Sequence, residues 1–269
     1  MAQYLKKKNS CKSLRDLPAQ VDANPETAAR SRARYFNSGN AFMVGTTPIP
    51  DIVFEKEPRK AFADGTTTSL IPCDISSQLG CNYPATSPLI LVYYARINYG
   101  EVLPTLFNAS GALAYVISGS GETICQDEVI KWGEGDVFLM PGGKKQTHRA
   151  FKGPVILWIA TNEPQLEFEN SSIKDGTLVS GIVHYPSQEI DRQFDLIYSI
   201  DADQDVSGSA VIFSSCDQEL NKNILPTLTA GINSLPPNAK QRPHRHNGIA
   251  ISLVIGGEGC FSLIDGKKK

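Results

Sequence analysis

The chain has 269 residues, 41% of them hydrophobic, and this length allows one large domain or two domains of roughly 100 to 150 residues. Its 26 Lys and Arg residues nearly balance 28 Asp and Glu residues, so no broad basic surface is available to hold nucleic acid. No apolar run reaches the roughly 18 residues of a membrane-spanning helix, and the opening MAQYLKKKNS lacks the apolar core of a signal peptide. We therefore expect a soluble cytoplasmic protein that binds neither nucleic acid nor membranes.

Residues 1–85 differ in pattern from the rest of the chain. The stretch NPETAARSRARYF at 24–36 offers Asn24 as an N-cap and Pro25 in the first turn, followed by Ala and Arg, and it predicts one helix. After this stretch, Pro and Gly interrupt the sequence repeatedly, which indicates an extended arm with short strands. We expect the N-terminal helix and arm to pack on the domain that follows or on a neighbouring subunit.

Residues 86–162 consist of short apolar runs such as PLILVYYARI, ALAYVISG and PVILWIAT, separated by Gly, Pro and Asp turns. Strands rich in Val, Ile and Tyr at this spacing are typical of an antiparallel sandwich or barrel. Residues 163–222 are more polar, and we interpret them as a connector with strands that lead into a second domain.

A sequence repeat links this region to the end of the chain. VISGSG at 116–121 matches VIGGEG at 254–259 with an offset of 138 residues, and INYGEVLPTLFN at 97–108 parallels INSLPPNAKQRPHRHN at 232–247 with a small gap. A repeat of this length indicates duplication of a whole fold. The sequence thus predicts two similar β-domains in tandem, of which the second, at 223–269, is incomplete.

Two of the four histidines lie in the segment PHRHNG at 243–248. Because alternate residues of a strand face the same side, His244 and His246 are expected to point together and to grip one metal ion. Neutral imidazoles suit Fe, Mn, Ni, Cu or Zn, but two ligands bind weakly, so a third has to come from elsewhere in the fold. The six cysteines form no C-x-x-C pair, so a zinc knuckle is not indicated.

The segment PHRHNG, followed by an apolar strand and G-x-G, resembles the first metal motif of the cupins, a superfamily of small β-barrels. Their second motif, G-x5-P-x-G and then a His, is matched by GDVFLMPGGKKQTH, which runs from Gly135 to His148. The resemblance implies an all-β fold of two double-stranded β-helix (cupin) barrels in tandem, a bicupin. It places the first barrel at 86–162 and the second at 223–269, after the N-terminal helix and arm.

Further segments are similar to one branch of the bicupins. The Glu of the common cupin pattern would fall near Ala250 or Ile251, so the implied ligand set is three histidines, as in the gentisate 1,2-dioxygenase branch. The stretches at 83–104 and 225–248 are similar to that branch as well. The resemblance covers about 83–269, roughly two thirds of the chain.

The two predicted barrels differ in their metal-site residues. The offset of 138 places His244 and His246 on Leu106 and Asn108, so the first barrel retains only His148, and we predict that its site is degenerate. The resemblance implies that in the ring-cleaving enzymes the first barrel usually carries the catalytic iron. In the second barrel, the equivalent of His148 would fall at position 286, so we expect the third ligand beyond residue 269 and interpret the chain as a fragment of a longer protein.

The resemblance implies a non-haem Fe(II) ring-cleaving dioxygenase of the gentisate 1,2-dioxygenase type that acts on an aromatic hydroxy acid. His244 and His246 would be metal ligands, with Mn, Ni or Zn as alternatives to Fe(II), and Arg242 is a candidate to pair with the substrate carboxylate. Two alternatives stay open: a non-catalytic bicupin that binds a small molecule or serves a structural role, and a metal-dependent cupin lyase or isomerase. We also expect a homo-oligomer.

Overall fold

The structure, a computed structural model, describes residues 11–42, 49–173, 179–200, 208–246 and 248–268. The chain divides after residue 49 into two compact units. Within the described ranges, no helix is both long enough and apolar enough to cross a membrane.

The first unit contains a short helix, α1 (Ala28–Arg32). Thr27 caps it, because the Thr27 hydroxyl accepts a hydrogen bond of 3.2 Å from a backbone N–H of the first turn. The helix predicted over 24–36 is therefore shorter at both ends. On its C-terminal side, two backbone hydrogen bonds of 2.9 Å hold Tyr35 against Gln20, and a longer helix would break this extended pairing.

The second unit is built around two antiparallel sheets. Its first ten strands are β1 (Ser69–Pro72), β2 (Leu91–Ile97), β3 (Val102–Thr105), β4 (Gly111–Ser118), β5 (Gly121–Cys125), β6 (Glu128–Trp132), β7 (Val137–Pro141), β8 (Gln146–Ala150), β9 (Val155–Thr161) and β10 (Val183–Tyr185). The larger sheet has the order β1-β2-β9-β4-β7-β10, and the smaller has the order β3-β8-β5-β6.

The pairing of these strands is nested. β5 pairs with β6 at the centre, and the pairs β4 with β7, β3 with β8 and β2 with β9 follow outward along the chain, all antiparallel. Successive pairs alternate between the two sheets, and the contacts of β4 with β9 and of β5 with β8 join one turn to the next. A long hairpin wound in this way is a double-stranded β-helix. The predicted all-β fold is confirmed for this barrel, whose strands β2 to β9 lie within 91–161.

The barrel interior follows from strand alternation. Every second residue of a strand points inward, and the large sheet supplies an apolar inner face. Trp132 of the small sheet stacks on Phe138 of the large sheet, with ring centroids 5.8 Å apart. The buried apolar residues of this interior are Ala95, Ile97, Leu103, Phe107, Ala109, Ala112, Ala114, Val116, Trp132, Phe138, Met140, Ala150, Val155, Leu157 and Ile159.

Part of the predicted arm belongs to this barrel unit. Residues 50–85 form α2 (Lys56–Phe62), β1 and α3 (Ser76–Leu79), and β1 extends the large sheet by pairing with β2. Ala61 of α2 packs with the outer face of that sheet, and Ile251 and Leu253 from the end of the chain join the same apolar cluster. These contacts are distant in sequence, which is why local patterns at 50–85 did not indicate them.

A second group of helices and strands packs on another part of the outer face of the large sheet. After β9 the chain continues through α4 (Glu163–Phe168), β10 and α5 (Ser187–Tyr198), and then through β11 (Ser209–Phe213) and β12 (Ala230–Ser234), which pair with each other. Apolar residues of α5, β11 and β12 pack with Leu113, Val137 and Leu139 of the barrel. The region at 163–222, predicted to be a connector, therefore also helps to bury the large sheet.

The region of the predicted second barrel contains little regular structure. A short hairpin joins β13 (Leu263–Ile264) to β14 (Lys267–Lys268), and between residues 235 and 262 the described positions include no strand. The segment with His244 and His246 is thus not part of a strand ladder. The second barrel at 223–269 stays a prediction.

Candidate metal centre

The two histidines of the PHRHNG segment converge at their side chains. His244 and His246 are both exposed, and their Nε2 atoms lie 3.1 Å apart. The rings meet edge to face, with centroids 4.8 Å apart and an interplanar angle of 81°. The structure therefore brings these two side chains together.

The orientation of His244 is fixed by a backbone contact. Its Nδ1 lies 3.2 Å from the carbonyl oxygen of Arg242. Because a carbonyl can only accept, Nδ1 carries the proton in this contact and the lone pair resides on Nε2. Ligating histidines commonly donate their second ring nitrogen in this way, which fixes the tautomer and the direction of the ring.

The contact between the two Nε2 atoms fixes the tautomer of His246. Since Nε2 of His244 is unprotonated, Nε2–H of His246 donates the hydrogen bond in this contact. His246 would have to lose this proton before both nitrogens could ligate one ion. Among the described residues, no group of three or more His, Cys, Asp and Glu side chains could hold a metal ion. The assignment of His244 and His246 as metal ligands stays a prediction, as does the third ligand.

Arg242 contributes to this site through its main chain. Its carbonyl oxygen is the acceptor for His244, and its side chain is exposed. The role predicted for its guanidinium, pairing with a substrate carboxylate, stays a prediction.

The predicted first-barrel site has a different composition. His148 lies on β8 in the barrel interior and is fully buried. Its Nδ1 is 2.8 Å from the Thr123 hydroxyl, and its Nε2 is 3.0 Å from the Thr105 hydroxyl. Burial disfavours the charged imidazolium and lowers the pKa of His148 to about 4. His148 is therefore neutral at physiological pH.

Two further side chains extend these contacts. The indole Nε1–H of Trp132 donates to Thr123 at 2.8 Å. The Thr105 hydroxyl lies 2.9 Å from Oε1 of Gln146, whose Nε2 donates to a backbone carbonyl at 2.8 Å. The interior face of the small sheet thus carries a connected set of polar groups.

The structure does not bring Leu106 and Asn108 to His148. Leu106 is 65% exposed, and the Asn108 amide contacts the backbone of residues 171 and 173. The inward position is taken by Thr105, one residue earlier. The predicted loss of both ligands at Leu106 and Asn108 stays a prediction. Alternation along QTHRA from His148 would have indicated Gln146, but Thr105 and Thr123 become neighbours only through strand pairing.

The G-x5-P-x-G motif serves the turns of the barrel. Gly135, before β7, has a φ of +86°, and Gly143, between β7 and β8, has a φ of +67°. Residues with a side chain rarely adopt this left-handed region, so glycine is favoured at both positions. The motif therefore shapes β7 and the entry to β8, and it places His148 inside the barrel.

The nested strand pairing and the motif turns give this barrel a double-stranded β-helix fold, which resembles that of the cupins. No family model matches the chain. In sequence it is 26% identical over 107 residues to 5-aminosalicylate 1,2-dioxygenase of Comamonas sp., a match that covers 34% of this chain and 29% of that protein. This match confirms the predicted resemblance to the gentisate dioxygenase-like cupins.

Solved structures give similar partial overlaps. Salicylate 1,2-dioxygenase from Pseudaminobacter salicylatoxidans is 14% identical, with 60% of this chain and 56% of that chain covered and a TM-score of 0.48. TT1209 from Thermus thermophilus is 16% identical, with 41% of this chain and 96% of that chain covered and a TM-score of 0.32. The chain thus spans less than a third of its curated relative and about half of the salicylate dioxygenase. A tandem arrangement of two barrels stays a prediction.

Proposed function

We propose that this chain acts as a non-haem Fe(II) ring-cleaving dioxygenase of the gentisate 1,2-dioxygenase type on an aromatic hydroxy acid. The observation that carries the proposal is the convergence of His244 and His246, whose Nε2 atoms lie 3.1 Å apart with the His244 tautomer set for ligation. The sequence similarity to 5-aminosalicylate 1,2-dioxygenase supports the reaction class.

This proposal assigns separate roles to His244, His246 and Arg242. His244 and His246 would hold the metal through Nε2 once His246 has lost its Nε2 proton, and the Arg242 carbonyl keeps the proton of His244 on Nδ1, away from the metal side. Bound there, Fe(II) would supply sites where substrate and dioxygen meet and exchange electrons. The Arg242 guanidinium is placed two residues from His244 and would pair with the substrate carboxylate in a bidentate contact.

Oxygen consumption tests this proposal. The full chain, loaded with Fe(II) without air, is mixed with gentisate, salicylate or 5-aminosalicylate, and oxygen uptake is recorded with ring-cleavage absorbance. We expect uptake that stops in His244→Gln and His246→Gln and persists in His184→Gln, the matched control, because His184 instead pairs with Asp136 at 2.9 Å. Arg242→Lys should raise KM more than it lowers kcat, because the lysine ammonium cannot form the bidentate contact that a guanidinium makes with a carboxylate.

Other outcomes point to the two alternatives. Conversion of a substrate without oxygen would contradict the dioxygenase and indicate a lyase or isomerase. Binding of the acids with no turnover, measured by calorimetry, would contradict any enzyme and indicate a binding module.

A further inference from the structure

We infer that the interior of the first barrel takes no metal ion, because a one-way chain of hydrogen bonds occupies both ring nitrogens of His148. This inference is independent of the proposed function, which concerns His244 and His246. It disagrees with the family pattern, in which the first barrel usually carries the iron.

On the Nδ1 side of the His148 ring, the hydrogen bonds run from Trp132 through Thr123. The Trp132 indole nitrogen can only donate, so the Thr123 oxygen accepts its hydrogen bond at 2.8 Å. The Thr123 hydroxyl proton is then free to point to His148 Nδ1, 2.8 Å away. Because a hydroxyl can accept two hydrogen bonds, this side permits an unprotonated Nδ1 but does not by itself require it.

The contacts on the Nε2 side of the ring decide the tautomer. Gln146 approaches the Pro141 carbonyl oxygen at 2.8 Å, so the amide nitrogen faces that carbonyl and the amide oxygen faces Thr105. The Thr105 hydroxyl donates to this amide oxygen, and its oxygen is left to accept from His148 Nε2 at 3.0 Å. Nε2 therefore carries the proton. Since burial keeps His148 neutral, Nδ1 is left without a proton and accepts from the Thr123 hydroxyl.

This arrangement does not fit a metal ion. A ligating imidazole needs a free lone pair, but the lone pair on Nδ1 accepts a hydrogen bond and Nε2 is protonated. The groups around the ring are neutral hydroxyl, amide and indole groups, which are weak ligands for Fe(II). His148, Thr123 and Gln146 are fully buried, and Trp132 and Thr105 are nearly so, which closes the space around the ring. Hydrogen bonds therefore occupy both ring nitrogens of His148, and neither nitrogen is available to a metal ion.

Ring nitrogen spectra test the inference on the full chain. The protein has only four histidines, so single His→Gln variants at 184, 244 and 246 identify the His148 signals without altering the buried residue. Long-range 15N–1H spectra are recorded before and after addition of Zn²⁺ as the probe.

We expect His148 to show the proton on Nε2, an unprotonated Nδ1 and no change with excess Zn²⁺. A proton on Nδ1, or His148 signals that shift or vanish with Zn²⁺, would overturn the inference. The signals of His244 and His246 report separately on the proposed metal clamp, so failure of the clamp leaves the His148 result unaffected.

Discussion

Removing the hydroxyl of Thr123 should destabilise the barrel far more than removing its methyl group. Thr123→Val keeps the shape of the side chain, and Thr123 is fully buried. The change leaves the Trp132 indole N–H and the His148 Nδ1 without their shared partner. A buried polar group without a partner costs about 1 to 3 kcal/mol, so we expect a loss of about 2 to 6 kcal/mol in the free energy of unfolding.

Thr123→Ser is the matched control. It keeps the hydroxyl and removes one buried methyl group, which costs about 1 kcal/mol. Urea unfolding, followed by tryptophan fluorescence and circular dichroism, gives both values from the midpoint and the slope. A loss in Thr123→Val no larger than that in Thr123→Ser would refute the hydrogen-bond assignment of the barrel interior.

Three other predictions follow from buried groups and from the histidine pair. The pKa of His148 is about 4 in the folded chain and about 6.5 in the unfolded chain, so protonation below pH 6.5 favours unfolding. Urea unfolding should therefore give a free energy of unfolding about 2 kcal/mol lower at pH 5 than at pH 7. A pKa of His148 near 6.5, measured by NMR, would contradict this prediction. The Ser215 hydroxyl is buried without a hydrogen-bond partner in the described part of the chain, so Ser215→Ala should be neutral or raise the thermal midpoint, whereas a fall equal to a loss of more than about 1 kcal/mol would reveal a partner. Calorimetric titration with Zn²⁺ should give weaker binding to His246→Gln than to His184→Gln, and equal affinities would remove His246 from the ligand set.

The fold of the first barrel was largely accessible from the sequence. Alternating apolar runs separated by glycine turns at 86–162 indicated antiparallel strands, and the structure places β2 to β9 within that stretch. Gly135 and Gly143 fall at left-handed turns that the motif spacing had marked. These features depend on local backbone chemistry, which a single sequence carries directly.

Features that depend on contacts between residues far apart in the sequence could not be predicted from the sequence. The helix predicted over 24–36 is cut short because Tyr35 pairs with Gln20, and α2 arose where only an extended arm was expected. The contacts of Thr105 and Thr123 with His148 were inaccessible for a similar reason, since strand register is set by pairing across the sheet and not by the order of residues. The structure brings the His244 and His246 side chains together, although the strand whose alternation predicted this is absent from the described residues of that segment.

Iron retention by the full chain tests the central claim most directly. The wild type, His244→Gln, His246→Gln and His184→Gln are loaded with Fe(II) without air, desalted and analysed for iron by mass spectrometry. Because two imidazoles alone bind weakly, the account predicts partial iron retention in the wild type and in His184→Gln, and less iron in both clamp variants. Iron that is retained at the wild-type level when His244 or His246 is replaced would contradict the account.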